Sequence, residues 1–115
     1  MTEKQVEAVM WHHINAVGSG NLEEILKDYT EESLIVSPEK TFQGLANLPS
    51  FFTSWIKRVP PGAGDSFKIT HQHIVGDVAY IVWMMGDFAP FATDTYIIRD
   101  GKIVIHSFAP YIPKG

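Results

Sequence analysis

The second half of the chain reads as a succession of long strands, and this constrains the fold more than any other feature. The runs Phe67 to Val75, Val78 to Asp87, Phe91 to Arg99 and Lys102 to Phe108 are rich in β-branched and aromatic residues. They are separated by Gly76-Asp77, by the Gly86 to Pro90 loop and by Asp100-Gly101. Short Gly- and Asp-containing breaks between such runs are hairpin signals. Consecutive hairpins build an antiparallel meander, and a meander with an apolar face needs something laid over that face.

The first half supplies the cover. Val6, Val9, Met10, His13, Ile14 and Val17 recur at helical spacing and form one face of a helix over about residues 2 to 17, ended by Gly18-Ser19-Gly20. Asn21 followed by Glu24 resembles a capping box, opening a short second helix with Leu22, Ile25, Leu26 and Tyr29 as its stripe. Ser33 to Ser37 is an apolar, β-branched run stopped by Pro38, with Thr41 to Gln43 as a short partner. A third helix carries Leu48, Phe51, Phe52, Trp55, Ile56 and Val59, and Pro49 is tolerated because it falls in the first turn. Residues 60 to 64, PPGAG, form a linker within the domain. Helices first and strands after predict a single α+β domain over residues 1–115, three helices closing over a curved sheet around an apolar pocket.

Composition removes whole classes of function. Forty-five per cent of residues are apolar, too many for a disordered chain, yet no apolar run is long enough to span a membrane. With no cysteine, disulfides, thiolate nucleophiles and Cys-based metal centres are excluded together. A net charge of -4 with scattered basic residues leaves no footprint for nucleic acid. The N-terminus mixes charges at helical spacing and shows no leader pattern, so a cytoplasmic location is expected.

A two-residue turn at Gly76-Asp77 pairs Val75 with Val78, His73 with Tyr80 and His71 with Val82, placing these residues on one face. Ala79, Ile81, Trp83 and Met85 take the other, so this strand is apolar on both sides. One side meets the helices and the other requires a partner. The simplest partner is a second copy of the chain, and the expected dimer face carries Ile81, Trp83 and Met85.

The segments GSGNLEEILKDYTEESLIVSP, FQGLANLPSFFTSWI, GDVAYIVW and TDTYIIRDGKI, in this order, resemble the SnoaL-like branch of the nuclear transport factor 2-like superfamily, to which ketosteroid isomerases and polyketide cyclases are related. The resemblance covers the whole chain and implies a cone-shaped fold. It does not select a reaction, because the scaffold hosts enzymes and non-catalytic binders alike. In the isomerase branch a carboxylate base on the first strand works with an oxyanion hole made of a tyrosine and a neutral aspartate. By this resemblance Asp94 matches the neutral aspartate, His13 stands at the tyrosine position and Ser37 at the base position. Serine does not shuttle protons at neutral pH, so that mechanism is not preserved.

The candidate site residues follow. His13 lies in the apolar stripe of the first helix, either as a pocket donor or base or as a hydrogen-bonded core histidine. His12, about 100° away around the helix, is expected to be exposed. Asp94, between Thr93 and Thr95, is read as inward and uncharged, its pKa raised by burial, against an outward alternative. If a protonated His106 lies beside it, an ion pair replaces the neutral acid. Whether His106 is inward depends on the last hairpin. A two-residue turn pairs Asp94 with Ser107, whereas a three-residue Arg99-Asp100-Gly101 turn pairs Asp94 with His106 and makes a dyad. Tyr29, Phe52, Trp55, His73, Tyr80, Val82 and Tyr96 are the candidate substrate-binding wall. His71, His73, His106 and Asp94 only superficially suggest a metal site, and no metal or cofactor is expected. These residues suit a small, largely apolar organic ligand, with cofactor-free isomerisation, cyclisation or dehydration as one reading and non-catalytic ligand binding or dimeric interaction as the other.

Overall fold

The computed structural model describes residues 1–114. Helix α1 spans Glu3–Ser19, α2 Leu22–Leu26 and α3 Leu48–Arg58. The strands are β1 (Leu34–Val36), β2 (Thr41–Gln43), β3 (Phe67–Val75), β4 (Val78–Met85), β5 (Ala89–Arg99) and β6 (Lys102–Tyr111). They form one six-stranded sheet in the order β2-β1-β6-β5-β4-β3, in which only the β1–β6 pairing is parallel. The linker of residues 60 to 64 runs into a 3-10 turn at Ala63–Ser66. Among the described residues, no helix is long and apolar enough to cross a membrane.

Local chemistry explains the element ends. Thr2 and Gln5 form a reciprocal capping box at the start of α1, and Gly20 in the left-handed conformation (φ 70°) closes it. Asn21 caps α2 by accepting from the Glu24 amide, but the Glu24 carboxylate turns away to His12 and Lys27, so the box is half made. The α2–β1 connection is tied to β6 by the Ile103 amide donating to the Asp28 carbonyl (2.7 Å) and by Ser33 Oγ donating to the Ile103 carbonyl (2.6 Å).

The β3–β4 register is the expected one, with Val75 opposite Val78, His73 opposite Tyr80 and His71 opposite Val82. The last hairpin follows neither expected register. Asp100 (φ 51°) and Gly101 (φ 77°) make a two-residue turn with both residues left-handed, the twist that suits a tight hairpin. Beyond it a bulge at Val104 shifts the register, so that Ile98 pairs with Ile103 but Ile97 with Ile105. Asp94 then lies opposite Phe108, and Tyr96 opposite His106. The extra residue sits in the strand rather than in the turn, and it sends His106 inward.

The sheet faces are reversed from the dimer expectation. Ala79, Ile81, Trp83 and Met85 are buried within the core that includes Val6, Met10, Leu48 and Phe52 of the helices. Trp83 meets Trp55 edge-on (6.1 Å between centroids) and Phe67 at 5.3 Å. Period-two alternation tells which residues share a face but not which face the helices choose. The helices cover the side that carries Ala79, Ile81, Trp83 and Met85. As a result His73, Tyr80 and Val82 sit on the outer face, away from the helices, and are corrected from wall to surface.

His12 is not simply exposed. Its Nδ1 lies 2.6 Å from Asp28 Oδ2 and its Nε2 3.1 Å from Glu24 Oε1, clamping α1 to the α2 segment. Hydrogen bonds to Asp28 and then Glu24 hold the imidazole pKa above its usual value. At Asp28 burial outweighs the same contact and pushes the carboxyl up as well.

Two outcomes follow from this packing. Ile81→Ala should cost about 2–5 kcal/mol in denaturant unfolding, as for a buried aliphatic truncated in a dense core, whereas Tyr80→Ala on the outer face should cost far less. His12 binds its proton more tightly when folded. Its stabilisation is therefore complete below the unfolded pKa of about 6.5 and lost as pH rises through the raised folded value. Thermal melts of His12→Gln should fall below those of the parent at pH 6 and converge with them by about pH 9, the largest gap staying under about 1 kcal/mol because His12 is 39% exposed.

Candidate functional site

Helices α1 and α3 and strands β3 to β6 contribute to one cavity of about 430 Å³. Phe51, Phe52 and Trp55 come from α3, Ile14 and Val17 from α1, and Ile81, Trp83, Met85 and Phe108 from the sheet. Asn15, Gly18, Gly64 and Asp65 are exposed and form its rim. The helices present these side chains inward because their apolar stripes face the sheet. The sheet presents its own because each strand is pleated, so residues two apart share a side.

At the floor, His13, Asp94, Tyr96 and His106 line the cavity and Tyr29 lies behind them. Asp94 and Tyr96 are two apart on β5, His106 lies opposite Tyr96, and Trp83 on β4 shares their face. The buried Asp94 carboxylate accepts on both oxygens. Trp83 Nε1 donates to Oδ1 at 2.7 Å, while Tyr96 Oη donates to Oδ2 at 3.0 Å and His106 Nε2 lies 2.7 Å from the same oxygen. The other His106 nitrogen, Nδ1, meets Tyr29 Oη at 3.0 Å, and Tyr29 Oη is 3.4 Å from His13 Nδ1. A continuous polar chain thus runs from Trp83 through Asp94, His106 and Tyr29 to His13, wrapped in the Phe51, Phe52 and Phe108 rings.

Burial sets the charge states along this chain. His13 is held well below its usual pKa by burial, then by the neighbouring His106 and His12, and is neutral. Tyr29 and Tyr96 are pushed well above the usual phenol range, first by burial and then by Asp94. No polar side-chain atom among the described residues is both fully buried and unpartnered. Among the described residues His13 Nε2 has no hydrogen-bond partner and yet is not fully buried, so this nitrogen is reachable from the cavity.

The three residues read as the chemical centre, Asp94, His13 and His106, are brought together, and Tyr29, Phe52, Trp55 and Tyr96 surround them. Asp94 points inward, with Trp83, Tyr96 and His106 converging on its two oxygens. Ser37 is half-buried just past the end of β1 and donates to the Lys40 carbonyl, outside the cavity. His71 and His73 project from the outer face and do not converge with His106 and Asp94. Trp83 was overlooked as the partner of Asp94. The pairing of Ile81 with Asp94 across β4 and β5 carries that signal, once the helix-facing side of β4 is known.

No protein-family model and no curated protein match the chain. Solved structures do. An NTF-2 like protein of unknown function from Burkholderia xenovorans LB400 superposes with a TM-score of 0.76 at 17% identity, covering 100% of this chain and 89% of that one. A SnoaL-like protein of unknown function from Burkholderia thailandensis E264 gives 0.77 at 15% identity, covering 96% and 98%. A de novo designed protein with a curved β-sheet gives 0.77 at 17% identity, covering 96% and 88%. Ketosteroid isomerase and polyketide cyclase stand in the names of two further matches. The chain has the α+β cone fold of the nuclear transport factor 2-like superfamily, the fold of its SnoaL-like, isomerase-like and cyclase-like members.

Proposed function

We propose that this protein binds one small, largely apolar organic molecule in the cone and performs cofactor-free acid–base chemistry on it, of the isomerase, cyclase or dehydratase type. The observation that carries the reading is an apolar cavity of about 430 Å³ whose floor is a single connected chain of titratable groups. A volume of this size suits a small organic ligand. An aromatic wall holds a flat apolar skeleton, and the polar floor orients one functional group. His13 and His106 supply ring nitrogens able to accept or donate a proton, and the Asp94 carboxyl lies against His106.

Non-catalytic binding is the second reading, favoured by Ser37. The position that the resemblance sets for the base of the isomerase branch carries a serine here, and its hydroxyl donates to the Lys40 carbonyl outside the cavity. Under this reading Asp94→Asn changes ligand affinity only modestly, and no ligand is turned over.

We also propose a homodimer through the outer sheet face. Val78, Tyr80, Val82 and Met84 of β4, with Thr93, Thr95 and Ile97 of β5, form a half-buried strip without a charged residue. Ile105, also on this side, is 39% exposed. Such a strip meets the compositional pattern of an interface core.

The cavity reading is tested at Gly18, which lies at the rim and has nothing within 4 Å of where a Cβ would stand. Gly18→Phe should fold normally yet abolish saturable quenching of tryptophan fluorescence by 2-naphthol, a flat bicyclic probe; unchanged quenching would place the probe elsewhere. For the dimer, sedimentation at micromolar concentration should show two copies for the parent and one for Val82→Lys, with the circular dichroism of the two alike. A monomeric parent rejects this interface.

A further inference from the structure

We infer that the cavity recognises its ligand by accepting a hydrogen bond at His13 Nε2, so the ligand class is an apolar ring system bearing a weakly acidic hydroxyl rather than a bare carbonyl. The inference rests on the cavity reading above and deepens it. An anion-stabilising floor would offer donors; the connectivity here leaves an acceptor.

The polarity of the chain runs from its anchored end. The Trp83 indole has only a proton to give, so Asp94 Oδ1 is an acceptor. Oδ2 accepts from Tyr96 Oη at 3.0 Å, and His106 Nε2 at 2.7 Å is placed to donate to the same oxygen. A neutral His106 that donates at Nε2 accepts at Nδ1, and the group 3.0 Å away is the Tyr29 hydroxyl, which donates its only proton there. The Tyr29 oxygen then has lone pairs left, and His13 Nδ1 at 3.4 Å is placed to donate to it. Neutral His13 carries one ring proton, so with that proton on Nδ1 the remaining nitrogen, Nε2, faces the cavity as a bare lone pair. The tautomer at the cavity is therefore set by Asp94, three residues away along the chain.

The same chain carries the ligand's proton inward without leaving a charge on His13, the anion staying on the ligand oxygen. The ligand O–H bond breaks and its electron pair stays on the ligand oxygen, while the proton bonds His13 Nε2. The His13 Nδ1 proton passes to Tyr29 Oη, and the Tyr29 proton passes to His106 Nδ1. His13 and Tyr29 end neutral, and His106 ends as an imidazolium against the Asp94 carboxylate. Tyr29, whose phenol burial makes reluctant to ionise, receives one proton as it releases another. His13 touches the ligand; Tyr29, His106 and Asp94 are positioning residues that act through it.

Two measurements test this. In long-range proton–nitrogen NMR of the uniformly labelled protein, His13 should show the Nδ1–H tautomer and His106 the Nε2–H tautomer; an Nε2–H His13 overturns the inference outright, with no variant needed. In fluorescence titrations, 2-naphthol should bind about tenfold more tightly than 2-methoxynaphthalene or 2-acetylnaphthalene, a difference equal to one hydrogen bond. His13→Phe should erase that preference. Equal affinities, or tighter binding of the acetyl compound, overturn the acceptor assignment and leave the cavity reading standing. If none of the probes binds, the cavity reading falls and takes this inference with it.

Discussion

A carboxylate placed in an apolar cone is the constraint on which the rest of the site depends. Asp94 is 6% exposed and His106 is 2% exposed, and among the described residues no lysine or arginine pairs with them. An uncompensated buried charge is too costly to keep, so the surrounding elements must bring donors to it. They do so from three directions: Trp83 from the neighbouring strand, Tyr96 from the same strand and His106 from the strand on the other side. Each donor has its own second partner or its own packing to satisfy, and the requirement spreads outward. His106 needs Tyr29, and Tyr29 draws in the segment after α2. That segment is itself held by the Ile103 amide on the Asp28 carbonyl and by the His12 clamp. The buried polar chain and the short second helix are therefore one structural problem.

His12 and His13 show how one helical step divides two roles. Adjacent on α1, they meet Asp28 and Tyr29, which are adjacent in turn. The outer pair is a partly solvated ion pair in which the imidazole keeps its proton more tightly. The inner pair is a buried contact in which burial strips the imidazole of its charge. The same residue type thus reaches opposite ends of its titration range within one turn of helix, and the difference is solvent access.

The likeness to a de novo designed curved sheet, at much the same TM-score as the natural matches, underlines that this cone is a solution to packing before it is a solution to chemistry. Function resides in what the floor of the cavity carries. Here the floor carries Asp94 with Trp83, Tyr96 and His106 converging on its oxygens, while Ser37 lies outside the cavity against the Lys40 carbonyl.

What the residues determined alone was the element order, the β3–β4 register and the inward stripe of α1, because helical and strand periodicities and tight-turn dipeptides are local properties. Placing Asp94 on the inner face drew also on the family resemblance. Three things belonged to the tertiary structure. The side of β4 taken by the helices is a choice between two apolar faces, and alternation is blind to it; Trp83 and Val82 exchanged roles on that account. The bulge at Val104 is recorded nowhere in the hairpin dipeptide, although it decides the direction of His106. The burial that keeps His13 neutral and the hydrogen-bond partners of Asp94 and His13 come from groups far apart in sequence, Trp83, Tyr29 and His106 among them, whose approach exists only once the cone has closed.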